Sequence, residues 1–570
     1  MQYRFPIVLM MLATLLGACG GGSSGSDNSG DNAGDTDGDQ NETPSIPVAD
    51  DAPVMPPLFA ITLSQGSDDG LSVDEVNYIA GKADTYRPAA ARTGELVAIA
   101  YSGESVIEAV PVSFPSSYVS EQFVGNTMEM ALVESGTLES ATARIFIDAT
   151  TEPDRIDIVD ASQSVLASIT DFPSGADSAA LRKQPFSDYP WIDLLDETDT
   201  HPIITELSAS GLWTLSDENI AKLKNALDAM PRRLVSAIDT LGVALLSRPG
   251  ITYGGHVFLD LDALDFEPGR LLLLLTHEAG HAYHNVSASV AGSSFAEWEA
   301  QWPASIISAV RDTHDNLGLD KDVLAFWASL QQSAVNAGIS SNYRGADAPA
   351  LSGTSMLNGF VTDYASERLT DDFADTVVIA NFRAIQQLAP AFSSETCSSY
   401  QLGLDLGRLR SLAYIKLRLV QQMGLAEDED VEWCLGDSAP TQTPGIQLGD
   451  ALFFGQELNA GYTGQDRQQF NVVGQDAEGR GLAIELATEG QAPVGVYPLD
   501  LTWWGAWDGS NTLVIASPVD IEARSASSGV VVITHASSED RVDGFVFDLH
   551  LRSALGPASS FDFVPFRIPF

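Results

Sequence analysis

The sequence predicts a multidomain chain in which an N-terminal β-sandwich and a C-terminal all-β module flank a central, mainly α (α+β) domain. Three observations carry the prediction. Apolar and polar side chains alternate between turn residues from about 58 to 175, and again from about 445 to 570. Between them, from about 185 to 438, apolar residues recur at three- and four-residue spacing, as amphipathic helices require. At 570 residues the chain also exceeds what one hydrophobic core supports.

Ahead of the first module, residues 1–19 read as an export signal. Arg4 supplies the positive flank, and "FPIVLMMLATLLGA" is an apolar run too short to span a bilayer comfortably. It ends in "LGAC", Leu16 to Cys19, which resembles a bacterial lipobox and implies lipidation of Cys19. Gly20 follows the cysteine, and the implied address is the outer membrane of a bacterial envelope, on its periplasmic or surface face. Residues 20–57 are rich in Gly, Ser and Asp and have almost nothing to bury, so they are expected to form a disordered, self-repelling tether. With Cys19 assigned to the lipid, Cys397 and Cys434 remain, and outside the cytoplasm a pair most simply forms one disulfide.

Charge narrows the partners. Against 78 Asp and Glu stand 29 Lys and Arg, a formal net charge of −49, and a field of that sign repels nucleic acid and anionic headgroups. Membrane contact is therefore expected through the lipid alone, and the chain is read as a monomer.

Within the first module "GELVAIAY", "VIEAVPVSF", "TARIFIDA" and "RIDIVD" read as strands, and no histidine, cysteine or catalytic cluster interrupts them. The central region opens with "DENIAKLKNALDAMPRRLVSAIDTL", a helical pattern with Ser216 placed as N-cap. "HVFLDLD", His256 to Asp262, follows a "YGG" turn and reads as a strand, a hypothetical sheet edge for pairing an extended peptide. Further helices are expected in "AEWEAQWPASIISAVRDTH", "KDVLAFWASLQQSAVNAG", "DDFADTVVIANFRAIQQLA" and "LRSLAYIKLRLVQQMG". The last module reads as strands from "GLAIELA" to "SFDFVPFRIPF".

The chemistry concentrates in "LLLLLTHEAGHAYHN", Leu271 to Asn285, which holds three of the chain's eight histidines. "HEAGH" fits H-E-x-x-H. On a helix, His277 and His281 lie one turn apart on one face and can reach the same ion, with Glu278 beside a water bound to it. The five leucines bury the helix start and make the ligand platform rigid. Catalytic zinc keeps one position open and takes three protein ligands. His284, on the same straight helix, would crowd the ion, and the Gly and His that would extend the motif in the metzincin manner are absent. "AEWEAQW" offers Glu297 and Glu299, and "TDYASERLTDDFADTV" offers Glu367, Asp371 and Asp375 at four-residue spacing on one helical face.

H-E-x-x-H followed downstream by Y-x6-E-x-F-A-E resembles the anthrax lethal factor catalytic domain and the related Pro-Pro endopeptidases. Here Tyr364 is followed seven residues later by Asp371, then by Phe373, Ala374 and Asp375. The resemblance spans roughly 200–390 by motif order and implies a zincin-like metallopeptidase domain. It places Asp371 as third zinc ligand, Tyr364 at the substrate oxyanion, and Glu278 as general base. Both acidic positions depart from the pattern, since aspartate replaces glutamate. Asp371 then reaches zinc only if its helix sits closer. Glu367 is the rival ligand, and Asp375 is expected to orient a histidine from behind. The separation of 90 positions between His281 and Asp371 implies an insertion over the cleft. The expected function is zinc-dependent hydrolysis of peptide or protein substrates by a lipid-anchored endopeptidase. The alternative is an adhesion or binding lipoprotein whose metalloprotease-like domain is inactive or structural.

Overall fold

The structure is a computed structural model. It describes residues between 57 and 569, apart from segments of which the longest are 80–95, 174–185, 289–298, 346–358, 389–407, 432–444 and 500–511. Cys19, residues 20–56 of the tether, Glu297 and the Cys397–Cys434 pair therefore lie outside the described residues.

The chain has mixed α and β content in several sheets. The first nine strands are β1 (Leu58–Gln65), β2 (Leu71–Ile79), β3 (Leu96–Ser102), β4 (Ser105–Val112), β5 (Ser117–Phe123), β6 (Met130–Thr137), β7 (Ala141–Asp148), β8 (Arg155–Asp160) and β9 (Val165–Ile169). Seven of them form two antiparallel sheets, in the orders β2-β1-β7 and β4-β3-β8-β9. Phe59, Ile61 and Leu63 of β1 meet Ala98, Val110, Ile156 and Ile158 of the other sheet in a shared core. Leu58 and Ala60, on the opposite face of β1, pack instead into the core of the central region. Alternation along one strand thus serves two interfaces.

The hairpin β5–β6 leaves this pair of sheets. It joins a six-stranded sheet with the order β10-β11-β13-β12-β5-β6, built on β10 (Asp193–Leu194), β11 (Thr240–Ala244), β12 (Gly250–Tyr253) and β13 (His256–Asp260). β10, β11 and β13 are parallel, while β12 runs antiparallel to β13 and to β5. β13 is therefore an interior strand, not the edge its sequence suggested. Its neighbour "GITY" is four residues long, too short to show a period.

Among the described residues the helices are α1 (Pro202–Glu206), α2 (Asp217–Asp228), α3 (Arg232–Val235), α4 (Pro268–Ala288), α5 (Ala304–Thr313), α6 (Leu319–Asn336), α7 (Leu369–Ala380), α8 (Phe382–Leu388) and α9 (Arg408–Gln422). Ser216 caps α2 by accepting from Asn219 N at 3.3 Å. The helical run expected to continue to Leu241 stops at Asp228. Pro231 disfavours helix at the preceding residue and starts the short α3, after which Thr240–Ala244 enters the sheet as β11. In the insertion, Ile306 and Val310 of α5, with Trp302 just before it, pack on Val97, Ile99, Ala109 and Val159 of the first module. α6 lies beside α4 and α9. From Gly445 to Pro569 the described elements are all strands, joined in one antiparallel sheet.

Candidate metal centre

α4 is the platform of the site. Pro268 occupies its first turn, where a missing N–H costs nothing, and Leu271–Leu275 are all buried. The two imidazoles one turn apart converge: His277 Nε2 and His281 Nε2 are 3.1 Å apart. Two nitrogens bound to one tetrahedral zinc at about 2.0–2.1 Å would stand about 3.3 Å apart, so the pair is spaced for a shared ion.

α7 crosses α4 with both aspartates toward it. Asp375 Oδ1 lies 3.0 Å from His277 Nδ1, the ring nitrogen that faces away from His281. Its other oxygen accepts from Thr362 Oγ1. Asp371 Oδ1 stands 4.0 Å from His281 Nε2. Arg368 holds that carboxylate through Nε to Oδ2 at 2.9 Å and a terminal nitrogen to Oδ1 at 3.1 Å. Among the described residues no set of three or more His, Cys, Asp or Glu already encloses one point. Two imidazoles are in place, and Asp371 is an acidic side chain near the Nε2 atom of His281.

Close packing lets an aspartate come this near. A Cβ on Gly280 would sit 3.0 Å from Ala374 Cα and 3.3 Å from its Cβ, so the helices meet almost backbone to backbone. Phe373, between the two aspartates, packs against Tyr283, His284 and Trp327 and sets the rotation of α7. The D-x-F-A-D stretch thus combines two inward carboxylates, one anchoring ring and one small residue at the crossing.

Glu278 points toward β12. Thr252 Oγ1 donates to Glu278 Oε2, and to its main-chain oxygen at 3.1 Å. Gly250 passes so close that any Cβ there would collide with Glu278 Oε1. Tyr364 sits on a 3-10 turn, Tyr364–Ser366, with its ring centroid 6.0 Å from that of His277 and its hydroxyl accepting from Arg368 at 3.4 Å. His277, His281, Tyr364, Asp371 and Asp375 are therefore brought together, with Glu278 on the same helix and its carboxylate against β12.

Glu367 is turned to a different partner. Arg344 donates to its Oε1 at 2.8 Å, and burial, aided by Asp371 and opposed by Arg344, raises its carboxyl to about 7. His284 is buried against Phe373, and burial, together with His281, lowers its imidazole to about 4. Glu299 pairs with Arg311 on the surface. Thr252, Gly250, Thr362 and Arg368 escaped the sequence reading. Only Arg368 left a signal, standing three residues before Asp371 where helical neighbours pair. No protein-family model, curated protein or solved structure matches the chain, so the site rests on its own geometry.

Proposed function

We propose that the chain is a zinc-dependent endopeptidase with a zincin-like central domain, carried on the bacterial envelope by a lipid at Cys19. One observation carries the reading: the Nε2 atoms of His277 and His281, 3.1 Å apart on a buried helix, with Asp371 Oδ1 4.0 Å from His281 and Glu278 on the same helix. Paired core histidines with no ion would be costly to bury side by side, which favours a metal there. Bound at His277, His281 and Asp371, zinc would acidify a water and polarise the scissile carbonyl.

The chain's own groups supply the rest. Glu278 takes the proton of the attacking water and returns it to the leaving amine, while Thr252 fixes the carboxylate. The Tyr364 hydroxyl donates to the developing oxyanion. Asp375 orients His277 from its Nδ1 side, which leaves Nε2 as the ligating atom.

The test is zinc content and turnover of the purified chain without residues 1–56. One zinc per chain is expected, lost in His281→Ala and kept in Glu278→Gln, with slow cleavage of unstructured peptides abolished in the latter. A chain that takes up no zinc, or keeps it unchanged in His281→Ala, refutes the reading.

A further inference from the structure

We infer that the chain folds in a latent form, in which its own hairpin β5–β6 occupies the edge of β12 where a peptide substrate would pair. The inference rests on the endopeptidase reading of the site. β12 borders the reacting groups, because Thr252 holds Glu278 and Gly250 leaves no room above its carboxylate. Neighbouring strands lie about 4.8 Å apart, so a peptide paired on the outer side of β12 would run beside Glu278. β13 takes the inner side. The outer side is taken by β5, antiparallel, with Thr252 opposite Val119, Ile251 opposite Ser120 and Gly250 opposite Glu121.

The hairpin also reaches the other rim. β6 runs against the 3-10 turn that carries Tyr364, so the two strands extend from β12 to the oxyanion side of the site. Among the described strands of the first module, these two alone pair outside its own sheets. They are clasped rather than loosely laid down. Tyr118 is buried with Ile251 and Tyr253, and the Tyr253 hydroxyl donates to the Pro115 carbonyl at the hairpin's base. Gly254, at φ +59°, leaves the space that Pro115 fills. Displacement therefore requires a competing strand, a cut in the hairpin or a partner that pulls it away.

The test compares zinc-loaded full chains on an unstructured peptide library. Ser120→Pro removes an N–H from the strand and kinks it away from its neighbours. Its cleavage rate should rise at least tenfold over the unsubstituted chain at equal zinc content, and adding Glu278→Gln should abolish the gain. Equal rates at equal zinc overturn the latent form and leave the endopeptidase reading standing. Zinc absent from the unsubstituted chain overturns both. Should Ser120→Pro alone lose zinc, the comparison is read on Val119→Gly/Ser120→Gly/Glu121→Gly, which loosens the strand while keeping every N–H.

Discussion

Asp371 is one methylene shorter than the glutamate of the pattern it resembles, and Gly280 on the opposite helix lets its own helix approach closely. The three acidic residues of this region consequently separate in experiment. Asp371→Asn should lose stoichiometric zinc, and Asp375→Asn should weaken zinc binding about 10–100-fold by releasing His277. Glu367→Gln should leave it unchanged, because Glu367 is directed to Arg344. Competition with a calibrated chelator reads all three. Glu367 carries a separate pH signature in the metal-free protein. Its folded carboxyl titrates at about 7 against an ordinary 4.5, so between those values the folded state holds a proton that the unfolded state has released. The contribution of Glu367 is thus most favourable below about 4.5 and is lost as pH rises through about 7. Relative to Glu367→Gln, the unsubstituted chain should lose stability between pH 5 and pH 8. Denaturation midpoints of both proteins at the two values test the sign.

At the scale of elements, the site depends on how α7 sits on α4. Behind Asp371, the fully buried Asp372 takes Lys416 Nζ at 2.8 Å, the Tyr343 hydroxyl at 2.8 Å and Trp327 Nε1 at 3.1 Å. Lys416 also donates to the Gly359 carbonyl at 3.2 Å. This network ties α7 to α6 and α9 on the side away from the histidines. Lys416→Met strands a buried carboxylate and should cost about 3–5 kcal/mol, read as a lower thermal midpoint. Gly280→Val wedges the α4–α7 crossing itself. Overpacking of about 1–3 kcal/mol is expected, with zinc affinity lowered at least tenfold because both aspartates ride on α7. Unchanged affinity would mean that the crossing does not set their reach. Much of this level was legible, because the HEAGH helix and the D-x-F-A-D helix announce themselves by ligand spacing and apolar period. The crossing was not, since nothing in the residue type of Gly280 says which backbone lies opposite. Thr252 was hidden for the same reason, as it acts on Glu278, a residue brought to it by folding.

The whole molecule departs furthest from its sequence pattern. Alternation fixes which face of a strand is buried but not which strand lies beside it, so β5 and β6 fall within the stretch read as the first module although β5 pairs with β12 and β6 with β5. The continuous apolar run "GVVVIT" in the last module has a similar meaning. Val531 and Ile533 point into the module's own core, whereas Val530 and Val532 join Val496, Phe545 and Phe547 in the core that contains the HEAGH helix. A strand buried on both faces loses its alternation, and here the second face is covered by the central region. The module therefore packs against the region that holds the candidate metal centre, and single substitutions on opposite faces of one strand test whether it supports that site. Val531→Asp places a charge in the module's core and should unfold the module. Val532→Asp should leave that core intact while driving a carboxylate into the shared interface. Losing a buried valine contributes about 1.5–3 kcal/mol before the charge is counted, enough to lower the midpoint of zinc release by about 5–10 °C. Zinc release on heating and far-ultraviolet circular dichroism of the β signal, followed together, separate the two events. If Val532→Asp released zinc at the unsubstituted temperature, the last module would be a passenger on the site rather than a support for it.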